Sequence, residues 1–570
     1  MSSSRPRRIA VLFDHIETDY QLEVLGGAMR AARSARARTL VIPGGWLEPS
    51  PDAPVVRNFV YELVTKAPVD GLLILAGSLS NYVGLERFRA WVARFAHLPC
   101  VFVGIDLPNL PSVFVDNEVG VRAAVAHMIE KHGRRRLAFL AGPPGSAECE
   151  ARRRGYESAL LSHGLEVEPR LIVSGGLERQ HGRRAVQELL DERRVSPATL
   201  DALIAVNDES ALGALEELTR RGIAVPDSIA VVGFDDSASA RSSNPPLTTV
   251  AQRVELQAYT AARILLAHLD DGAPLASSAL DPTLVVRSSC GCPTVFTNDS
   301  QAVQAPRGGM AKTLRLALIE RRSMILAELA RAAAGRLAGM AGWEGRLVDS
   351  LVLDLATPGG GAFLLEVEQL VRKNVAQDRD VMICHEVLTV LRLQVLSCAS
   401  LEPESRPRVE DLFQETRLIV ARIGVDVERE QQRALSSRRR AVTKACIAAL
   451  TTLDESALSA TLSEHLPALG IKSYSVTRIV RGEGATAELG VVARRVEGVG
   501  APVGTLLASD LGLDEALLLE EAMVIEPLEF AGRPVGLAAL GWGARNPLHY
   551  EELRELFGPA IHLKRDTRDG

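Results

Sequence analysis

A short segment near the middle of the chain constrains its fold most strongly. Between residues 202 and 236, an apolar run ends at the polar pair Asn207 and Asp208, a helical pattern follows, and a second apolar run ends at Asp235 and Asp236. This order predicts two parallel strands joined by a helix. In an open parallel sheet, ligands bind beyond the carboxyl ends of the strands. We therefore expect a crevice rich in side-chain acceptors, which suits a hydroxyl-rich small molecule.

The same alternation extends from Arg8 to Arg287. Short β-branched or apolar runs predict strands, and amphipathic helical patterns fill the intervals, which is typical of parallel sheets flanked by helices. Breaks at Val113–Asp116 and Leu247–Val250 indicate that the chain passes there between two lobes. The predicted strands are Ile9–Phe13, Thr39–Ile42, Gly71–Leu75, Cys100–Val103, Leu137–Leu140, Ala202–Val206 and Ile229–Gly233.

These residues, in this order, closely resemble the effector-binding domain of the lactose-repressor/galactose-repressor (LacI/GalR) family. The resemblance includes the Pro-Pro-Leu-Thr-Thr-Val segment that ends at Val250, and Arg152-Arg-Arg-Gly-Tyr156, which matches the family's Arg-x-x-Gly-aromatic pattern. It implies a two-lobed α/β fold of the periplasmic-binding-protein-like type I, with three crossovers and closure by a hinge motion. It also implies that Arg152 reaches the ligand.

Strand ends and the family pattern together indicate ten ligand-binding candidates. The planar guanidinium of an arginine can hold a carboxylate or paired hydroxyls, carboxylates accept hydroxyl protons, and aromatic rings can stack against a sugar or a base. An alternative for Asp14 and Asp208 is that they cap helix starts. The candidates are Asp14, Tyr20, Ser78, Asp106, Asp116, Arg152, Asn207, Asp208, Phe234 and Asp235.

Composition and motifs exclude several classes of protein. The 47% hydrophobic and 24% charged residues are those of a folded protein, and 570 residues allow three or four domains. No stretch approaches the roughly 18 consecutive apolar residues of a membrane span, and the first residues lack the apolar core of a signal peptide. We therefore expect a cytoplasmic protein without membrane contact. Phosphate-binding loops and hydrolase, cyclase or metalloprotease motifs are missing, so we expect no enzyme, no catalytic residue and no cofactor.

Seven scattered cysteines are too few for a disulfide framework. The close pair Cys290 and Cys292 could be a metal or redox site. However, no neighbouring histidine or second cysteine pair along the sequence completes a zinc site, so we expect no metal. We interpret the pair as the end of a domain.

We divide the chain into four parts, three of which lie in its second half. We assign residues 1–292 to the sensor domain, 293–310 to a polar linker, 311–435 to a helical signalling region, and 436–570 to an α+β domain that resembles a GAF domain. The GAF resemblance depends mainly on a predicted hairpin that turns at Ala531-Gly532. Apolar seams at three- and four-residue steps predict a coiled coil in a homodimer or, alternatively, a bundle closed within one subunit. The seams are Val381, Cys384, Leu388, Leu391 and Val395, then Val409, Leu412, Thr416, Ile419, Ile423 and Val427.

Three functions remain open. The first is a ligand-responsive regulator that binds a sugar- or nucleoside-like effector and passes lobe closure to a downstream signalling protein or to the transcription machinery. The second is a DNA-binding transcription regulator, although only eight residues precede the first strand, where the family has a helix-turn-helix headpiece. The third is the sensory subunit of a histidine kinase or nucleotide cyclase system, since the segment from His385 to Thr389 weakly resembles a phosphoacceptor helix.

Overall fold

The computed structural model forms two compact units, Met1–Thr294 with Arg438–Gly570, and Val295–Ser437. In its described part, no helix combines the length and the apolar character needed to cross a bilayer. The predicted linker at 293–310 lies outside the described residues. The structure describes residues 5–16, 18–48, 55–292, 313–333, 337, 340–356, 361–376, 381–399, 405–451, 455–496, 505–543 and 548–563, with side chains of 431–456 largely excepted.

Lobe 1 is built on a parallel sheet in the order β5-β4-β3-β1-β2. Every residue of Gly71–Leu75 is buried, as expected for a central strand covered by helices on both faces. The elements of lobe 1 are β1 (Arg8–Phe13), α1 (Asp19–Ser34), β2 (Arg38–Pro43), α2 (Phe59–Val64), β3 (Gly71–Leu75), α3 (Ala76–Leu79), α4 (Leu85–Val92), β4 (Cys100–Gly104) and β5 (Ser112–Val115).

Lobe 2 carries a second sheet, in the order β12-β10-β9-β8-β6-β7, in which β12 alone is antiparallel to its neighbour. The helix α10 returns to lobe 1 and packs on α1. The remaining elements of the sensor half are α5 (Asn117–His132), β6 (Leu137–Ala141), α6 (Ala147–Ser162), β7 (Ile172–Ser174), α7 (Arg179–Gln187), β8 (Ala202–Ala205), α8 (Asp208–Arg220), β9 (Ala230–Asp235), α9 (Ala238–Ser242), β10 (Thr248–Ala251), α10 (Val254–Asp271), β11 (Ser278–Leu280) and β12 (Thr283–Val285).

The chain passes between the lobes three times, as the family resemblance implies. The passages follow β5, β10 and β11. The two predicted breaks are largely occupied by the strands β5 and β10, and the chain changes lobe immediately after each. The strands β5, β7, β10, β11 and β12 were not predicted, because runs of three or four residues that include a polar side chain give only a weak pattern. Strand β8 is equally short but wholly apolar, and it was predicted. The α/β fold class itself is confirmed.

The second unit is a helical bundle with its own apolar core. Cys384, Leu388 and Leu391 in one predicted seam, and Val409 and Ile423 in the other, are buried in that core. The seams are therefore covered within one subunit, which is the bundle alternative, and the homodimer stays a prediction. The helices are α11 (Leu314–Glu320), α12 (Arg322–Ala333), α13 (Trp343–Ala356), α14 (Ala362–Ala376), α15 (Met382–Ala399) and the part of α16 (Arg406–Thr451) that precedes Arg438.

The C-terminal region has the predicted α+β character, and its antiparallel strands follow the order β16-β17-β13-β14-β15. The hairpin turns at Ala531 and Gly532, whose φ values of 50° and 76° match a two-residue turn with both central residues in the left-handed region. The GAF resemblance itself stays a prediction. The elements are α17 (Glu455–His465), β13 (Tyr474–Arg481), β14 (Glu488–Arg495), β15 (Thr505–Leu507), β16 (Ala522–Phe530), β17 (Arg533–Gly541) and α18 (Leu548–Leu563).

This C-terminal region joins the sheet of lobe 1. Strand β16 pairs in parallel with β2, which places Leu40 opposite Met523 and Val41 opposite Val524, and one 11-stranded sheet results. The predicted sensor domain at 1–292 and the predicted C-terminal domain at 436–570 thus lie largely in one compact unit. The pairing satisfies the backbone groups of β2 that would otherwise form an open sheet edge.

Candidate functional site

The cleft between lobes 1 and 2 encloses a cavity of about 450 Å³, within the size range of about 300–1,000 Å³ typical of small-molecule sites. The lobes touch across it, because the Ser146 hydroxyl donates a hydrogen bond of 2.8 Å to the side-chain oxygen of Asn81. Seven of the ten candidates line this cavity: Asp14, Tyr20, Ser78, Arg152, Asn207, Asp208 and Asp235.

Arg152, on α6, is the central cation of the cavity and is only 3% exposed. Its Nε donates to Asn117 Oδ1 and its Nη1 to the carbonyl of Val206, both at 2.8 Å. The guanidinium lies 4.0 Å from the centre of the Phe234 ring, a cation–π arrangement that holds it flat. Nη2 has no hydrogen-bond partner in the described part of the chain. One guanidinium nitrogen is therefore left for a ligand.

Two carboxyl groups lie close to this guanidinium: Glu148 Oε2 is 3.9 Å from Nη2, and Asp235 Oδ1 is 4.0 Å from Nη1. Burial raises the pKa of Glu148 to about 7 and that of Asp235 to about 6, and the charge of Arg152 opposes both shifts. Burial and the neighbouring Asp235 also raise the pKa of Asp208. Asp208 accepts hydrogen bonds from the Thr249 hydroxyl at 2.6 Å and from the Ser237 N–H at 2.8 Å.

Asp14 organises the lobe 1 side of the cavity. It accepts hydrogen bonds of 2.8 Å from the Ser78 hydroxyl and the Trp46 indole, and it contacts His15 Nδ1 at 2.8 Å. Burial alone would raise its pKa, but the charge of His15 and these hydrogen bonds lower it to about 2. Because its oxygens are already engaged, Asp14 orients Ser78 and Trp46, and the N-cap of α1 is Thr18 instead.

Three predicted residues do not line the cavity. Asp106 is exposed outside it, and Asp116 is the N-cap of α5, where its carboxylate accepts the Val119 N–H at 3.0 Å. Phe234 is fully buried beneath Arg152 and belongs to the core of lobe 2, so its ring supports the arginine rather than facing the ligand. The strand-end argument failed for them because it gives a position along the chain but not the direction of the side chain.

Asn207 combines two roles. It caps α8, since its side-chain oxygen accepts the Ser210 N–H at 3.0 Å, and its Nδ2 donates to the Leu177 carbonyl at 2.8 Å. Both contacts leave the residue at the cavity wall. The helix-cap role that the sequence suggested for Asp208 therefore belongs to Asn207, which is the N-cap of α8.

Sequence reasoning missed Glu148, Trp46 and Gln252. Glu148 lies four residues before Arg152 on the same helix, and that spacing alone places the two side chains on one face. Trp46 follows β2, so the strand-end rule would have found it, whereas Gln252 follows β10, which was not among the predicted strands. Trp46 packs 5.0 Å from Tyr82, centre to centre, and provides an aromatic wall.

The loop that follows β1 connects this cavity to the C-terminal region. The Ile16 N–H, two residues after Asp14, donates to Glu551 Oε1 at 3.3 Å. The other oxygen of Glu551 lies 3.1 Å from Arg57 Nη1 and 2.8 Å from Arg554 Nε. Glu551 and Arg554 are both buried, which makes this a buried ion cluster at the junction.

Comparison with known proteins agrees with this geometry. A family model described as a periplasmic binding protein-like domain matches residues 125–290. The HTH-type transcriptional repressor CytR of Escherichia coli (strain K12) is 31% identical over 239 residues, covering 41% of this chain and 66% of that protein. The HTH-type transcriptional regulator CelR of Thermobifida fusca is 36% identical over 202 residues, covering 35% and 56%.

A solved structure titled as a transcriptional regulator CelR–cellobiose complex is 27% identical, with a TM-score of 0.43, and covers 50% of this chain and 86% of that one. The chain spans less than two thirds of the length of the two regulators above. The matched family model and the two regulators support an effector-binding domain of the LacI type, with a periplasmic-binding-protein-like fold, in the first half of the chain.

Proposed function

We propose that this protein is a ligand-responsive regulator that binds a sugar- or nucleoside-like molecule in the cleft and relays the closure of the lobes to a signalling or transcriptional output. The relay runs through the C-terminal region. No catalytic step is part of this proposal, and the relatives are named as transcriptional regulators.

One observation carries the ligand class. Arg152 Nη2 and Glu148 Oε1 are buried beside the cavity, and neither has a hydrogen-bond partner among the described residues. Nη2 lies 3.9 Å from the other oxygen of Glu148, too far for a hydrogen bond. A hydroxyl group both accepts and donates, so one hydroxyl of a ligand can satisfy the pair. The aromatic wall of Trp46 and Tyr82 suits the flat face of a sugar ring or a base.

A thermal-shift panel of sugars and nucleosides on the full chain tests this function. A ligand at a hundredfold excess over its Kd raises the free energy of unfolding of the protein by about 2.7 kcal/mol. We expect Arg152→Met and Glu148→Gln each to reduce the shift by about half or more at the same ligand concentration. Arg153→Met is the matched control, because Arg153 lies on the same helix but faces Glu157 at the surface. A hit whose affinity is unchanged in both cleft variants contradicts the proposed site.

The contact between Ile16 and Glu551 supports the relay. A movement of the β1–α1 loop on ligand binding changes the surroundings of a buried carboxylate that has two arginine neighbours. Such buried pairs are costly to break from one side, so the loop and α18 are coupled.

Hydrogen exchange with and without a ligand from the panel measures this coupling. We expect protection to change in Leu548–Leu563, and Glu551→Gln to remove that change while ligand affinity is retained. Glu515→Gln, at an exposed position of the same region, serves as the control. An unchanged response of α18 in Glu551→Gln would show that the signal travels by another route.

A second candidate, a DNA-binding transcription regulator, is favoured by the relatives, which are named as HTH-type regulators. Selection from random duplexes at physiological salt decides between the two. Specific protein–DNA complexes reach a Kd of about 10⁻⁸ M or tighter. A sequence-selective site of that affinity supports this second function, and uniformly weak binding supports the first.

A further inference from the structure

The end of α5 and the segment that follows β12 meet on lobe 2, and none of the residues that meet there lines the cavity. Among the described residues, one group of His and Cys side chains brings four metal-ligating atoms within 4.8 Å of one another: His127, His132, Cys290 and Cys292. The two cysteines are the pair that lacked partners along the sequence. More than 150 residues separate them from the two histidines, since Cys292 contacts His132 across 160 positions.

The distances between these atoms fit a tetrahedral metal site. The Nε2 atoms of His127 and His132 are 3.3 Å apart, and Cys292 Sγ lies 3.6 Å from the first and 3.4 Å from the second. Zinc bonds of about 2.3 Å to sulfur and 2.0–2.1 Å to nitrogen, at tetrahedral angles, place nitrogen pairs about 3.3 Å apart and sulfur–nitrogen pairs about 3.5 Å apart. The arrangement therefore has the dimensions of a zinc site.

The local backbone holds the ligands in this arrangement. His132 is the last residue of α5, followed by Gly133 as a left-handed cap, and His127 is just over one turn earlier. Between the cysteines, Gly291 has a φ of +105°, and a Cβ at this position would lie 3.3 Å from Nδ1 of the His132 ring. A glycine is thus required both for the turn and for the close approach of the ring.

Charge and burial also fit zinc. Cys290 is fully buried and Cys292 is half-buried, and both are free thiols. Two thiolates and two neutral imidazoles around Zn²⁺ have no net charge, so the site can lie in a protein interior. Soft sulfur and imidazole ligands favour zinc over magnesium or calcium, which prefer oxygen.

We propose that His127, His132, Cys290 and Cys292 bind a structural Zn²⁺ ion that fastens the end of the sensor domain to lobe 2. Four protein ligands leave no open position for a water or a substrate, so the site is structural rather than catalytic. The ion fixes the point at which the chain leaves the sensor towards the helical region. The site is independent of the proposed effector function.

Metal analysis of the full-length protein, purified under reducing conditions without added chelator, tests this proposal. We expect about one zinc ion per chain. After exchange with Co²⁺ alone, we expect the d–d bands of a tetrahedral cobalt site together with a thiolate-to-cobalt charge-transfer band. Cys292→Ser and His132→Gln should each lose the metal and the bands. Cys100→Ser and His97→Gln, which lie outside the group, should keep both.

A chelator should lower the Tm of the wild-type protein but not that of Cys292→Ser. If Cys292→Ser fails to fold, the cobalt spectrum of the wild-type chain still decides the question. Zinc far below one per chain, together with a wild-type protein that takes up no Co²⁺ or binds it without the charge-transfer band, would overturn the proposal.

Discussion

Glu148 should make the stability of the sensor domain dependent on pH in a way that Glu148→Gln removes. Burial raises the pKa of this carboxyl from 4.5 to about 7, and the attraction of Arg152 offsets only part of the rise. In the unfolded chain the carboxyl regains its ordinary pKa. Because the folded state holds the proton more tightly, the stability linked to Glu148 is fully present below about pH 4.5 and is lost as the pH rises to about 7.

The size of the effect follows from the same values. One pKa unit corresponds to about 1.4 kcal/mol, so a rise from 4.5 to about 7 corresponds to about 3 kcal/mol. Glutamine has nearly the same shape as glutamic acid and no charge. At pH 5, where the folded protein carries a protonated Glu148, the variant and the wild type should differ little. At pH 8 the variant should be more stable by up to about 3 kcal/mol.

Urea unfolding of the full chain at pH 5 and pH 8, followed by near-ultraviolet circular dichroism, measures the difference. Glu166→Gln is the control, because Glu166 is exposed on the same lobe and its replacement should leave the pH dependence unchanged. A difference between Glu148→Gln and the wild type that is the same at both pH values would refute the reasoning, as would a variant that is less stable at pH 8.

Three further predictions concern other parts of the sensor. Arg152→Met should lower effector affinity at least tenfold in calorimetric titration, because a buried charge-assisted contact is worth about 1.5–3 kcal/mol; an unchanged Kd would remove Arg152 from the site. The folded protein lowers the pKa of Asp14 from 3.8 to about 2, so Asp14→Asn should lose about 2 kcal/mol of stability near neutral pH, and this loss should disappear as the pH falls through that interval. Thermal unfolding of the variant and the wild type between pH 2 and 7 measures the loss. An equal loss at pH 2 and at pH 7 would contradict this cause. Gly213→Ala should destabilise the folded protein by about 1–3 kcal/mol, because the new Cβ would lie 1.9 Å from the Arg179 carbonyl oxygen. Gly26→Ala, with open space around the position, should be neutral or stabilising. Equal Tm values for the two variants would argue against the close packing of α7 on α8.

Local patterns in the sequence determined much of the sensor half. Apolar runs predicted the strands from β1 to β9, except β5 and β7, with small errors at their ends, because burial on both faces leaves a continuous apolar signal. The polar residues that follow those strands include Asp14, Ser78, Asn207 and Asp208, which line the cavity. The direction of each side chain was beyond this reasoning, and so Phe234, Asp106 and Asp116 were assigned to a site that they do not line.

Contacts between remote segments were decided by the tertiary structure alone. The pairing of β16 with β2 uses backbone hydrogen bonds that any apolar edge strand can form, so no residue in either strand marks the partner. Likewise, Cys290 and Cys292 lack partners until the fold brings His127 and His132 beside them. The sequence alone determines which elements form, since periodicity records the burial of each element. Which elements meet depends on the packing of the whole chain, because that information is distributed over many weak contacts.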